Sequence, residues 1–250
     1  MMKVLFIGSG ATRAICGEKA PLARDFGKVF NSTLGTNTNY QSLISALEYL
    51  EKDKKDWELE DVWHSIDANH KFRQIVDNSE IDWLNAGWQL KLAVNEIYGT
   101  ELQGTINTLG DNELEKLGRY LRQLEKNDCL VTTNYDLLIE SICEKRLQWN
   151  SPINCMNNKE MQDRKDHIYP PLLKLHGSLD WVHETDSTFM THQIKRNKHH
   201  EPVSYNYLVD KSDDKHKRPC IIGTVHFKDE MIFQSNQPGV RWTPLSRPIL

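Results

Sequence analysis

A short apolar run, a polar turn and then a helix follow one another at residues 3–20 and again at 128–146, and this layout restricts the fold more than any other feature of the chain. In "KVLFIGSGAT" the run from Val4 to Ile7 stops at Gly8-Ser9-Gly10. In "DCLVTTNYDLLIESICEKR" the run Cys129 to Val131 gives way to a polar turn, Thr132 to Asp136, and to an amphipathic helix from Leu137 onward. A short, continuous apolar run closed by turn residues is the pattern of a strand buried in a parallel sheet. The prolines of "PPLLKLHGSLDW" mark the start of a third strand at 172–176, and "RPCIIGTVHF" offers a further one at 218–227.

Helices fill most of the remainder. Helical spacing predicts elements over 41–55, 58–67, 79–98 and 112–126, the third with Ser79 as its N-cap. The last carries a stripe of Leu114, Leu117, Leu121 and Leu124, the face of a core helix. Alternation of strand and helix gives an α/β fold, a Rossmann-like doubly wound parallel sheet. The chain of 250 residues is read as one domain, with a helical insertion over about 36–127. The polar stretch at about 183–218 is read as a loop or insertion with ragged secondary structure.

Charge narrows the choice of partners. With 31 basic against 35 acidic residues the net charge is −4, which argues against a dedicated nucleic-acid protein. A local basic patch such as "IKRNKHH" at 194–200 reads as a solvated loop. Cysteines 16, 129, 143, 155 and 220 include no Cys-x-x-Cys pair and imply a reducing, cytoplasmic setting. No apolar stretch is long enough to span a bilayer, and "MMKVLFIGSG" is too short in apolar residues for a signal peptide.

In open parallel sheets ligands bind outside the carboxyl ends of the strands. That rule gathers three polar tips at one edge: Gly8-Ser9-Gly10, Thr133-Asn134-Tyr135-Asp136 and His176-Gly177-Ser178. The glycine turn can present backbone N–H groups to a phosphate, or it is simply a strand-to-helix turn. Arg13 either reaches an anionic ligand or lies on the surface. Asn134 and Asp136 either cap the following helix or hold a sugar hydroxyl, a water or a carboxamide. His176 alone is a weak motif, more often a structural or surface group than a catalyst, but the same rule gives it the company of the other two tips.

Taken in order, "FIGSGATRAI" (6–15), "VTTNYDLLIE" (131–140) and "LLKLHGSLDW" (172–181) resemble the sirtuin (SIR2) superfamily, and more closely the SIR2-like NADases of bacterial antiphage defence. The resemblance implies that NAD is the substrate. Its contacts would be Gly8, Ser9, Gly10, Ala11, Thr12 and Arg13 from the first tip, Thr133 and Asp136 from the second, and Gly177 and Ser178 from the third. Asn134 would orient water near the nicotinamide ribose, Asp136 would lie near the carboxamide, and His176 would act as general base. The two Cys-x-x-Cys pairs of the sirtuin zinc module are absent, and the irregularly spaced His192, His199, His200 and His216 do not suggest a metal site, so no metal is expected. Nor does the chain carry the family's C-terminal turn toward adenosine; Gly223-Thr224 is the nearest substitute.

The resemblance thus implies a NAD glycohydrolase that depletes NAD in abortive infection, gated by homo-oligomerisation or by a regulatory protein partner. The helical region is the expected contact surface. Alternatives are a catalytically silent nucleotide-sensing subunit and, with less support, an ADP-ribosyl cyclase or a NAD-dependent deacylase.

Overall fold

The computed structural model describes residues 2–51, 57–73, 81–149, 169–186, 191–197, 201–209 and 215–221. Strands β1 (Val4–Ile7), β2 (Cys129–Thr132) and β3 (Leu172–Lys174) form a parallel sheet in the order β1-β2-β3. Val4 pairs with Cys129 and Ile7 with Thr132, while Leu130 pairs with Leu172 and Thr132 with Lys174. This register ends all three strands at one level, so the residues that follow Ile7, Thr132 and Lys174 share an edge. The Thr132 hydroxyl ties two of the strand ends together by donating to Ile7 O at 2.7 Å. The fold is therefore α/β and Rossmann-like, as the sequence implies.

Asp128 fixes the opposite end of the sheet. Its buried carboxylate accepts from Lys3 N at 2.7 Å and from Glu125 N at 2.8 Å, pinning the start of β1 to the start of β2. These two backbone donors, Glu125 first, hold the carboxyl below its ordinary value of 3.8. A lowered folded pKa means stability that is fully present above 3.8 and lost as the pH falls through the folded value. Asp128→Asn is accordingly expected to lower the urea midpoint at pH 7. The gap from wild type should stay constant down to the ordinary carboxylate value and close below it; a gap that persists in acid would contradict this role.

Between β1 and β2 run α1 (Ser9–Cys16), α2 (Phe26–Thr33), α3 (Gln41–Glu51), α4 (Leu59–Arg73), α5 (Trp83–Glu96), α6 (Gln103–Thr108) and α7 (Asp111–Leu121). Phe26, Phe30, Tyr40, Leu43, Leu90 and Ile106 bury their side chains in this layer almost completely. Helix α5 is capped by Asp82, whose side chain accepts from Asn85 N at 2.9 Å, and not by Ser79, which lies outside the described residues. It continues through a π-helical segment, Ile97–Leu102, into α6, where a helix end near 98 was expected. Helix α7 buries Leu114, Leu117 and Leu121 as the stripe requires, but stops there instead of at 126. Successive i to i−3 bonds, from Gln123 to Tyr120 and from Leu124 to Leu121, tighten the chain into the turn that leads to β2.

Helix α8 (Leu138–Leu147) follows β2. After β3, the stretch expected as a loop contributes to a second sheet, antiparallel and ordered β5-β4-β6, from β4 (Gly177–Asp186), β5 (Thr191–Arg196) and β6 (Lys215–Ile221). A short helix, α9 (Tyr205–Val209), packs against it. Its strands escape a hydrophobic reading because they bury charge: Glu184 accepts from the Tyr207 hydroxyl, and the Lys217 ammonium lies 4.3 Å from the Tyr207 ring centroid. Strand β1 departs from expectation in another way. Ile7 is buried, but Val4 and Phe6 are 56% and 59% exposed among the described residues, where β1 is an edge strand. No helix among the described residues is long and apolar enough to cross a membrane.

Candidate functional site

At the first tip, Gly8 is extended (φ −106°, ψ 178°) and α1 begins at Ser9. The Ala11 N–H bonds Gly8 O, so the amides of Ser9 and Gly10 are the donors presented at the helix start, with no acidic residue in the first turn. A Cβ added at Gly8 or Gly10 would meet nothing within 4 Å, and neither residue has positive φ. The protein's own packing therefore has no need of glycine at either position. What the missing side chains leave is open space beside a helix N-terminus, where an anion is favoured.

The second tip is joined to the first through Thr12, whose side chain is buried. Its hydroxyl lies 2.9 Å from Asp136 Oδ2 and 3.0 Å from Asn134 Nδ2. An ionised carboxylate only accepts, so the Thr12 proton goes to Asp136 and the hydroxyl oxygen accepts from Asn134. The direction of this chain fixes the Asn134 amide: nitrogen toward Thr12, oxygen away. Among the described residues, the buried Asn134 Oδ1 has no hydrogen-bond partner, and the residue lines a cleft together with Ser9, Thr12, Thr133, Tyr135 and Asp136. The capping alternative applies to Asp136, whose other oxygen accepts from Leu138 N at 3.1 Å; Asn134 is engaged with Thr12 instead.

Electrostatically the cleft is mixed: its lining includes Ser9 at the helix start and the carboxylates of Asp136 and Glu60, which act on Tyr98, another lining residue. Burial, followed by Glu60, Asp25 and Asp136, raises the Tyr98 phenol far above its usual value. The Cys16 thiol is pushed up to about 11, first by burial and then by Asp136, which makes it a poor nucleophile at neutral pH.

The third tip begins where β3 stops. Leu175 and His176 form a turn, and Gly177 takes φ 84°, a conformation that favours glycine, to start β4. His176 is 3% exposed and does not line the cleft. Its ring packs against Tyr135, centroids 6.4 Å apart, and Tyr135 in turn packs against Tyr98 at 6.5 Å. Ser178 is fully buried, and its hydroxyl has no hydrogen-bond partner in the structure.

Of the remaining expected ligand contacts, Ala11 is half-buried on α1, and the Arg13 guanidinium is engaged elsewhere. It donates to Ala20 O at 2.9 Å and Glu18 O at 3.2 Å, which holds the segment that brings Ala20 and Pro21 to the cleft wall. Gly223 and Thr224 lie outside the described residues. Among the described residues no His, Cys, Asp and Glu side chains cluster as metal ligands. A larger cleft, about 500 Å³, is lined by Asn95, Gly99, Gln103 and Ser141, and none of the three strand tips is among its lining residues.

Lys174 was not anticipated. It is buried, and its ammonium contacts Tyr135 O, Asp136 O and Glu140 Oε1. The signal was present in "LLKLHGS": a period of two puts Lys174 on the same strand face as the buried Leu172.

Residues 128–234 match the family model of the SIR2-like domain. The match takes in the second and third tips and leaves out the first. No curated protein matches the chain.

Proposed function

Because the chain carries a SIR2-like domain over residues 128–234, we propose that its strand-tip cleft binds NAD and hydrolyses the nicotinamide–ribose bond. The observation that carries this reading is Asn134 Oδ1, a buried acceptor with no hydrogen-bond partner among the described residues, on a residue that lines the cleft; it calls for a donor such as water or a ribose hydroxyl. The groups that line the cleft agree with it. The amides of Ser9 and Gly10 suit a pyrophosphate, whereas Asp136 and Glu60 suit a pyridinium ring and the positive charge that develops on the ribose.

In this reaction the protein supplies no acid, since the pyridinium leaves as neutral nicotinamide and takes the C–N bonding pair. Its residues orient a water and remove a proton. Asn134 holds the water through Oδ1, Thr12 and Asp136 hold Asn134, and His176 accepts the proton lost as the water oxygen bonds the anomeric carbon. The products are nicotinamide, ADP-ribose and one proton. Since His176 lies against the Tyr135 ring and outside the cleft lining, its part requires Tyr135 to shift when substrate binds.

The biological reading is depletion of NAD in antiphage abortive infection, gated by assembly of like chains or by a regulatory protein. Chromatography of NAD incubated with the protein tests the chemistry. Nicotinamide and ADP-ribose in equal amounts support hydrolysis, cyclic ADP-ribose would assign a cyclase, and binding without turnover by the assembled protein would favour the sensor. The phosphate turn has its own test in Gly10→Ala. Alanine fits the open space and suits a helix better than glycine by up to about 1 kcal/mol, so the variant should be slightly more stable. Calorimetry should nonetheless show weaker ADP-ribose binding; unchanged affinity would place the pyrophosphate elsewhere.

A further inference from the structure

Lys174 Nζ lies 3.1 Å from Tyr135 O, 2.5 Å from Asp136 O and 3.0 Å from Glu140 Oε1. Both side chains of the Lys174–Glu140 pair are fully shielded from solvent. Stability is a weak reason for such a pair, because apolar side chains of similar volume generally serve a core as well or better. The two backbone contacts offer a stronger reason. Consecutive carbonyls point to opposite sides of an extended strand, whereas those of Tyr135 and Asp136 converge on one ammonium. The chain is therefore bent at 135–136, and the bend has a charged partner for each carbonyl. From the other side, Thr12 takes the side chains of Asn134 and Asp136. The loop is held through its backbone by Lys174 of β3, with Leu179 N of β4 also donating to Tyr135 O at 3.1 Å, and through its side chains by α1.

We infer that Lys174 is a positioning residue: it holds the 134–136 bend that points Asn134 and Asp136 at the cleft, and Glu140 balances its buried charge. The effect on activity rests on the reading of the cleft given above, whereas the effect on the loop does not. Lys174 also couples two of the tips, since it lies two residues before His176 and grips the carbonyls just after Asn134.

Two variants separate positioning from packing. The double change Lys174→Met with Glu140→Leu replaces the pair by apolar bulk and leaves both carbonyls without their cation. Glu140→Gln keeps the ammonium on the carbonyls and an acceptor beside it. Hydrogen exchange at the Asn134 and Leu138 amides, which bond Thr132 Oγ1 and Asp136 Oδ1, reads the loop directly. In the double variant these amides should exchange about tenfold faster than in wild type while the core amides of β2 do not. The kcat for nicotinamide release should fall about a hundredfold, with KM changed far less. Glu140→Gln should stay close to wild type in both readouts, even with a lower Tm. Unchanged exchange and kcat in the double variant would overturn the inference, as would a Glu140→Gln variant that loses as much as the double. If wild type releases no nicotinamide, the proposed activity fails by itself, and the exchange at Asn134 and Leu138 still decides the role of Lys174.

Discussion

His176→Ala should lower kcat for nicotinamide release by about a thousandfold, the middle of the range for loss of a general base. Affinity for ADP-ribose should change little, because His176 lies behind Tyr135 and does not line the cleft. The combination is diagnostic. A residue that bound the ligand would weaken affinity and rate together, while one that takes a proton during the reaction weakens the rate alone. Truncating a buried ring opens a cavity, so the rate is referred to folded protein, and His176→Gln, which keeps more of the volume, should be equally slow. Full activity in both variants would remove His176 from the chemistry and leave it a packing partner of Tyr135.

Asn134→Ala should reduce kcat about a hundredfold, the scale of misplacing one reactant by about an ångström. The physical basis is the orientation of its amide. Thr12 gives its proton to Asp136 and accepts from Asn134, so the Asn134 oxygen is the atom left to receive a donor from a ligand or water. Alanine removes that acceptor and also one hydrogen bond to Thr12, a stability loss of about 1 kcal/mol that thermal unfolding would report. Asn134→Asp sharpens the test. A carboxylate there would compete with Asp136 for the single Thr12 proton, so two acids would share the site and one would hold its proton to higher pH. This variant should be slow at neutral pH, although it differs from wild type by only one atom type. Wild-type rates in both variants would show that the unpartnered acceptor plays no part in handling water.

Much of this site could be read from the sequence because parallel strands obey a simple rule. Once Val4–Ile7, Cys129–Thr132 and Leu172–Lys174 are placed in one sheet, their register brings the three polar tips to one edge. The leucine stripe of α7 was equally legible, since a period of 3.6 survives any detail of packing. Elsewhere the determining contacts lie between residues far apart in the chain. The antiparallel sheet was read as a loop because Glu184 and Lys217 are buried by way of Tyr207, which no local pattern reveals. Arg13 looked available to an anion, but its geometry commits it to the carbonyls of Glu18 and Ala20. His176 was placed at the correct edge, yet its burial behind Tyr135 depends on an aromatic contact between two tips. Lys174 drew no reading from the sequence, because its oxygen partners, at residues 135, 136 and 140, lie far from it in the chain.

The most direct test of the central claim is the position of ADP-ribose in a crystal of the complex. The account predicts the pyrophosphate on the amides of Ser9 and Gly10, with the terminal ribose within hydrogen-bonding reach of Asn134 Oδ1. Ligand seated instead in the larger cleft beside Gln103, with the strand tips empty, would contradict it.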